Sequence, residues 1–237
     1  MTASVEFYTF VHHLPEEALE YAVECWDAAV THGVDPWHLV AILWRESLAG
    51  TAPGYSPKNS PEGTGDRIPR RAGGTYTQLS GKVYTIPASG LPEDGQGWGR
   101  GLMQIDWGVH HEWCLTGVWK TAAGSFDYAA KLLADIRRAL GSAGPCPPAA
   151  PWRLEHGLPQ YKVQPWKGLY PLLHAPINPR PLSGIDLDRA ALAAYNAGIG
   201  GVLQALSVGA PAEAATAGQN YVTWCEKHIA NWKGNTP

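Results

Sequence analysis

The stretch Asp94-Gly-Gln-Gly-Trp-Gly-Arg-Gly-Leu-Met-Gln-Ile-Asp106 is the most distinctive part of this 237-residue sequence. Four glycines stand within seven of its positions, and glycine lets a backbone approach a ligand closely because it has no Cβ. Gln104 and the two aspartates place hydrogen-bonding side chains beside these glycines. The stretch lacks the GxxxxGKS/T pattern and a preceding strand, which argues against a phosphate loop. It predicts a binding loop for another polar ligand, with an ordinary glycine-rich turn as the simpler alternative.

Helical patterns lie on both sides of this stretch. Apolar residues recur at three- and four-residue steps over residues 15–31, and Gly33 follows as a stop signal. Asp35 followed by Pro36 is typical of an N-cap and first helical residue, so a second helix is predicted to reach Gly50. Similar patterns predict helices over residues 126–140, 188–197, 202–207 and 220–232.

Two segments rich in glycine and proline interrupt the helices, at about residues 51–99 and 144–184. The first contains alternating residues over 75–86 around Ser80-Gly81, which predicts one small β-hairpin. The second is too long for a plain connection, so we interpret it as a functional insertion. The expected fold is mainly α: a single domain over residues 1–237 with a small β-hairpin and two long loop insertions.

Composition excludes several classes of protein. The 18 Lys and Arg residues against 21 Asp and Glu residues give a net charge of −3, which argues against nucleic acid as a partner. The absence of an 18-residue apolar run argues against membrane insertion, and we expect a monomer without a visible signal peptide. The chain has 11 Trp and 10 Tyr against 3 Phe, a usage that suits a sugar or peptide surface, with core packing as the alternative.

Two other segments carry chemistry. Glu46 falls in the last turn of the second predicted helix, where burial and the negative helix end disfavour its ionised form. A partly protonated glutamate is what a general acid needs for glycosidic cleavage, although most acidic residues at helix ends are solvated surface groups. The other segment is Ala194-Tyr195-Asn196-Ala197-Gly198, which alone could be a simple helix stop.

Taken in order, these segments resemble the shared motifs of the goose-type lysozyme and soluble lytic transglycosylase superfamily (glycoside hydrolase family 23-like). The matching blocks are Glu46-Ser47 with Gly50, Gly101-Leu-Met-Gln-Ile, Ala194-Tyr-Asn-Ala-Gly and Tyr221. The resemblance implies a lysozyme-like fold that cleaves the β-1,4 bond between N-acetylmuramic acid and N-acetylglucosamine in peptidoglycan glycan strands. It implies no cofactor and no metal.

The same resemblance assigns roles to residues. Glu46 is similar to the catalytic acid, and Asp106 and Asp94 are similar to the carboxylates that hold water in the goose-type pattern. The spacing from Asp94 to Asp106 is one residue longer than in that pattern, so Glu93 or Asp66 could replace Asp94. The residues expected to line sugar subsites are Ser47, Met103, Gln104, Tyr195, Asn196 and Tyr221.

Three functions remain open at this point. The leading one is an inverting muramidase, because a hydrolase of this kind needs a second carboxylate to hold water and the goose-type aspartates have counterparts here. The second is a lytic transglycosylase, which gives 1,6-anhydromuramic acid ends. The third is a non-catalytic wall-binding component. We expect action on the cell wall after release, as a phage endolysin, a virion-borne enzyme or a secreted effector.

The remaining polar residues give weaker expectations. Cys25 and Cys225 lie in the first and last predicted helices, so they are expected to bridge in an oxidised protein. The pairs His12-His13 and His110-His111 lack the spacing of a metal site. The basic residues Arg67, Arg70, Arg71 and Lys82 are expected to form a solvated loop, with contact to anionic wall polymers as the alternative.

Overall fold

The structure is a computed structural model that describes residues 4–52, 68–141, 182–207 and 210–234. The described chain is mainly helical, which confirms the fold class; the lysozyme-like arrangement stays a prediction. It divides into two compact units. The first unit holds the described residues up to Lys131 and those from Lys227 onward, and the second holds those of Leu132–Glu226.

The first unit begins with three α-helices: α1 over Val5–His12, α2 over Ala22–His32 and α3 over Pro36–Ser47. A 3₁₀ helix over Glu16–Tyr21 leads into α2, so only the second part of the predicted first helix is α-helical. Gly33 ends α2 in the left-handed region, as predicted. Asp35 caps α3 by accepting a hydrogen bond from the Trp37 backbone N–H at 2.9 Å.

Aromatic rings join these helices. The Phe10 side chain of α1 is only 2% exposed, and its ring lies 5.3 Å from Trp26 and 5.0 Å from Trp37. The middle of α3, from Leu39 to Leu43, is at most 1% exposed. Burial of these apolar surfaces anchors α3 in the core of the unit and fixes the helix that carries Glu46.

Two small antiparallel sheets follow α3. Strands β1 (Thr75–Thr77) and β2 (Val83–Thr85) form the predicted hairpin, with Tyr76 opposite Tyr84. Strands β3 (Gly99–Arg100) and β4 (Ile105–Asp106) form a second hairpin within the glycine-rich stretch, with Arg100 opposite Ile105. Two-residue strands among glycines have no alternating pattern, so the sequence did not predict this hairpin. Nor did it predict the short helix α4, which covers His111–Leu115.

The remaining helices are α5 over Ala122–Gly141, α6 over Gly184–Ser207 and α7 over Tyr221–Trp232. The sequence predicted all three, but it divided α6 into two helices at Gly198. The structure has its kink at that residue, where φ is 75° and ψ is 151°. Among the described residues, no helix is long and apolar enough to cross a membrane.

Within the second unit, polar contacts join the helices and the 3₁₀ turns. Arg137 of α5 pairs with Asp188 of α6. Glu213 accepts hydrogen bonds from the backbone N–H and the hydroxyl of Thr223, both at 2.7 Å, and so caps the first turn of α7. Nearly all of the insertion predicted over residues 144–184 lies outside the described residues.

Three of the four cysteines lie in the described residues, and all three are buried thiols rather than half-cystines. The predicted bridge between Cys25 and Cys225 is therefore not present in this structure. The Cys25 Sγ donates instead to the Pro36 carbonyl oxygen at 3.6 Å. Burial raises the pKa of Cys25 strongly and that of Cys114 to about 12, which favours the protonated thiol at neutral pH.

Candidate functional site

The end of α3 positions Glu46. Glu46 is the residue before Ser47, which ends the helix, and its side chain is partly exposed. The Ser47 hydroxyl donates to the Leu43 carbonyl at 3.0 Å and accepts from the Gly50 N–H at 3.1 Å. These two bonds tie the last helical turn to the loop that follows, so they fix the backbone next to Glu46.

The backbone is strained where α3 ends, two and three residues after Glu46. Leu48 and Ala49 have left-handed φ angles of 47° and 53°, and Gly50 follows at 79°. Such angles cost energy for residues with a Cβ, and surrounding hydrogen bonds must impose them. The Leu48 N–H donates to the Trp44 carbonyl at 3.0 Å, and the Ala52 N–H donates to the Ser47 carbonyl at the same distance. Strain of this kind clusters at functional sites, so it marks this helix end as a candidate site.

Gln104 lies in the turn between β3 and β4 and is strained in the same way, with φ of 48°. Its side-chain Nε2 donates to the Gly101 carbonyl at 2.7 Å. A Cβ on Gly99 would collide with the Gln104 carboxamide oxygen. Gly101 is left-handed at 66°, and a Cβ there would collide with the Ser125 hydroxyl and the Trp119 carbonyl. At these two positions the glycines admit the protein's own groups, where the sequence predicted the close approach of a ligand.

Asp94 forms an ion pair inside the same segment. Its two carboxylate oxygens accept hydrogen bonds from Arg100 Nη1 and Nη2 at 2.8 and 3.0 Å. The Arg100 side chain is 0% exposed and that of Asp94 is 32% exposed. A third hydrogen bond comes from the Gln96 backbone N–H at 3.1 Å. Asp94 is therefore the counter-ion of a buried arginine, a role that the sequence did not indicate.

These contacts govern the pKa of Asp94. Desolvation raises it, but the hydrogen bonds and charge of Arg100, together with the Gln96 N–H, outweigh desolvation and leave the pKa below its ordinary value. A carboxylate with a lowered pKa is a weak base. Asp94 is thus poorly suited to deprotonate a water molecule.

Asp106, at the end of β4, also pairs with an arginine, but through one oxygen. Its Oδ2 accepts from Arg70 Nη2 at 3.1 Å, and both side chains are about one-third exposed, at 32% and 30%. Its Oδ1 accepts from the backbone N–H groups of Gly108 and Val109 at 2.8 and 3.2 Å. The carboxylate therefore closes the turn after β4 as well as pairing with Arg70.

Both arginines lie over aromatic rings. Arg70 Cζ is 4.5 Å from the centre of the Trp98 ring, and Arg100 Cζ is 4.2 Å from that of Trp107. Trp98 and Trp107 belong to one buried cluster with Tyr84, Ile86 and Cys114. Trp98 and Trp107 thus pack in the core, whereas the composition suggested a sugar surface for the tryptophans.

The side chains of Ser47 and Met103 are each 0% exposed. The Ser47 hydroxyl has its donor and acceptor partners within α3 and the following loop, as described above. Neither side chain reaches the solvent, so the expected contact of these two side chains with a sugar does not match their burial. Their observed roles are to end α3 and to fill the core. Gln104 is the partly exposed member of the predicted subsite group in this unit.

The second unit contains the other three predicted subsite residues. Tyr195 is half-buried and Asn196 is exposed, three and two residues before the Gly198 kink. The Asn196 Oδ1 accepts from the Ala217 backbone N–H at 3.1 Å. Tyr221 begins α7 and is 1% exposed. Within this unit Asn196 is the most accessible of the three, and a subsite role for them stays a prediction.

The histidine pairs have structural partners. His110 is buried beside the Tyr128 hydroxyl, with its Nδ1 2.9 Å from that oxygen. Desolvation lowers its pKa, against the opposing charge of Asp106. The residues that the structure describes include no cluster of three or more His, Cys, Asp or Glu side chains that could hold a metal ion. Asp66 and Arg67, the other candidates from the first insertion, lie outside the described residues.

Sequence reasoning missed the two arginines that bind the predicted water-holding aspartates. Arg100 stands within the glycine-rich stretch, six residues after Asp94, so its position could have suggested a pair. Arg70 is 36 residues from Asp106, and the sequence pattern predicts only a basic loop there.

A search of protein-family models finds no match to this chain, and a search of the curated proteins finds none either.

Proposed function

We propose that this protein is a muramidase that hydrolyses the β-1,4 bond between N-acetylmuramic acid and N-acetylglucosamine, with Glu46 as the general acid. The observation that carries the proposal is local backbone strain at both predicted motifs. Among the described residues, four non-glycine residues have positive φ: Leu48, Ala49, Gln104 and Gln219. Three of these four are Gln104 itself and the residues two and three positions after Glu46, where surrounding contacts hold them in place.

The chemistry needs one acid and one oriented water. Glu46 donates its proton to the glycosidic oxygen as the bond from that oxygen to the muramic C1 breaks. The water oxygen bonds to C1, and the proton that this water loses passes to an aspartate and then to solvent. Glu46 regains a proton from solvent, so one water is consumed for each new reducing end.

One observation favours a second candidate, a lytic transglycosylase. Asp94 and Asp106 both accept three hydrogen bonds from protein groups, which leaves a single acceptor position on each carboxylate for an attacking water. A transglycosylase needs no such water. In it, the 6-hydroxyl of the muramic acid bonds to C1 and returns its proton to Glu46, which gives a 1,6-anhydro end.

The test is Glu46→Gln, assayed on purified peptidoglycan sacculi with mass spectrometry of the released fragments. The amide cannot donate the proton, so we expect cleavage to fall by about 10²- to 10⁴-fold. Glu17→Gln, on the exposed surface of the 3₁₀ helix, is the matched control and keeps the wild-type rate. Thermal unfolding of both variants checks that the fold is retained.

The outcomes separate the candidates. Reducing N-acetylmuramic acid ends from the wild type support the hydrolase, and 1,6-anhydro ends support the transglycosylase. Release of neither product by the wild type, or a Glu46→Gln variant with more than about a tenth of wild-type cleavage, contradicts both.

A further inference from the structure

Arg70 is held in place by its own backbone and by two aromatic rings. Its N–H donates to the Gly90 carbonyl at 2.7 Å, and that carbonyl also accepts from the Trp98 indole N–H at 3.2 Å. The guanidinium lies 4.5 Å from the Trp98 ring centre and 5.3 Å from that of Tyr76. A stacked guanidinium is restricted in direction, so its donors have a fixed aim.

The Arg70 guanidinium is directed toward Asp106. Arg70 Nη2 donates to Oδ2 at 3.1 Å, whereas the Gly108 and Val109 N–H groups both bind Oδ1. A carboxylate oxygen can accept about two hydrogen bonds. Oδ1 is therefore filled and Oδ2 retains one acceptor position, on a side chain that is 32% exposed. The arginine and the turn together determine the direction in which this last position points.

Asp94 also retains one acceptor position, on its Oδ2, but its arginine partner differs. Arg100 binds both carboxylate oxygens of Asp94, and that arginine is completely buried. Removal of the Asp94 charge would leave Arg100 as an uncompensated buried cation, so the role of Asp94 is structural. Of the two aspartates, Asp106 is therefore the one whose carboxylate can bind and release a water molecule without leaving a buried charge unpaired.

We propose that Arg70 is a positioning residue: it orients Asp106 so that the remaining acceptor position on Oδ2 holds the water that attacks C1. The inference rests on the hydrolase form of the proposed function. Arg70 touches neither the water nor the sugar in this scheme. Its part is to keep the carboxylate in one rotamer while the water transfers its proton to Asp106.

The consequence is a change in products rather than in rate alone. When the water is poorly held, the muramic 6-hydroxyl competes for C1, its proton goes to the Glu46 carboxylate, and an anhydro end forms without consumption of water. A variant with disturbed water placement therefore makes a larger share of anhydro ends. A variant that only loses folded protein makes less of both products in the same ratio.

The experiment compares this ratio in the wild type, Arg70→Gln, Arg70→Lys, Asp106→Asn and Arg71→Gln. Arg71 is the matched control because it is adjacent, basic and exposed. We expect Arg70→Gln and Asp106→Asn to lower the ratio of reducing to anhydro ends by at least about tenfold, since small errors in position cost much in such reactions. Arg70→Lys is expected to restore part of the ratio, and Arg71→Gln to leave it unchanged.

Two results overturn the inference while the proposed function stands. One is a wild-type ratio in Arg70→Gln beside a changed ratio in Asp106→Asn. The other is an equal change in Arg71→Gln, which would assign the effect to general basic charge. A wild type that makes only anhydro ends also overturns it, because no attacking water is then present. A Glu46→Gln variant that keeps more than about a tenth of wild-type cleavage would instead mark failure of the proposed function itself.

Discussion

Two aspartate–arginine pairs hold the glycine-rich segment, and they differ in burial and in geometry. The Asp94–Arg100 pair is bidentate and its arginine is 0% exposed. The Asp106–Arg70 pair uses a single bond of 3.1 Å between side chains that are each about one-third exposed, at 32% and 30%. Sequence alone makes the two aspartates look equivalent, because each flanks the same glycines.

The difference in burial predicts that one pair contributes mainly to stability and that the other is available for function. Breaking a buried pair by removing one partner is costly, since the other charge remains in a medium that solvates it poorly. An exposed pair contributes little to stability because water solvates both partners and salt screens them. We therefore expect Asp94 to maintain the segment and Asp106 to retain freedom for chemistry.

The largest expected effect on stability is that of Asp94→Asn. Arg100 would lose its counter-ion, and its Nε already has no partner among the described residues. We expect the free energy of unfolding to fall by about 2–4 kcal/mol, somewhat less than for a fully buried pair because the aspartate is partly exposed. Urea denaturation at neutral pH measures this loss. Asp106→Asn is the control, and equal losses in the two variants would remove the distinction between the pairs.

The same pair predicts a dependence on pH. The pKa of Asp94 is lowered in the folded protein: desolvation raises it, but the bonds from Arg100 and Gln96 prevail. A carboxyl whose pKa is lowered by folding stabilises the protein above its unfolded value, near 3.9, and loses that contribution as pH falls through the folded pKa. The stability difference between wild type and Asp94→Asn is thus expected to be constant from about pH 7 to 5 and to narrow below about pH 4. A difference that widens on acidification would contradict the role of Asp94 as counter-ion.

Local signals predicted the positions of α2, α3, α5, α6 and α7, but not that of α1. Gly33 and Asp35-Pro36 act through the backbone of their own turn, so the end of α2 and the start of α3 follow from sequence. Gly198 acts in the same way at the kink of α6. The short α4 and the β3–β4 hairpin have too few residues to form a sequence pattern. They pack instead through the aromatic cluster, which includes Cys114 of α4 and the residues Trp98 and Trp107 on either side of the hairpin.

The candidate site was less accessible to sequence. The motif residues could be listed, but the partners of their side chains depend on folding. Asp106 is paired with an arginine 36 positions away, and Ser47 and Met103 proved to be buried. The left-handed angles of Leu48 and Gln104 also have no sequence signal, because neither residue favours that region. Strain and ion pairing arise from tertiary packing, which single-sequence reasoning does not contain.

The smallest expected effect is the coupling within the exposed pair. A double-mutant cycle with Arg70→Gln and Asp106→Asn removes the separate loss of stacking on Trp98, because that loss occurs in both arms that change Arg70. We expect a coupling of about 0.2–1 kcal/mol, the range of exposed ion pairs. The parallel cycle with Arg100→Gln and Asp94→Asn is expected to give about 1.5 kcal/mol or more, as close and desolvated charge pairs do. If the coupling of Arg70 with Asp106 equalled or exceeded that of Arg100 with Asp94, then Arg70 would stabilise the fold in the same way as Arg100. The functional separation of the two aspartates would then have no energetic basis.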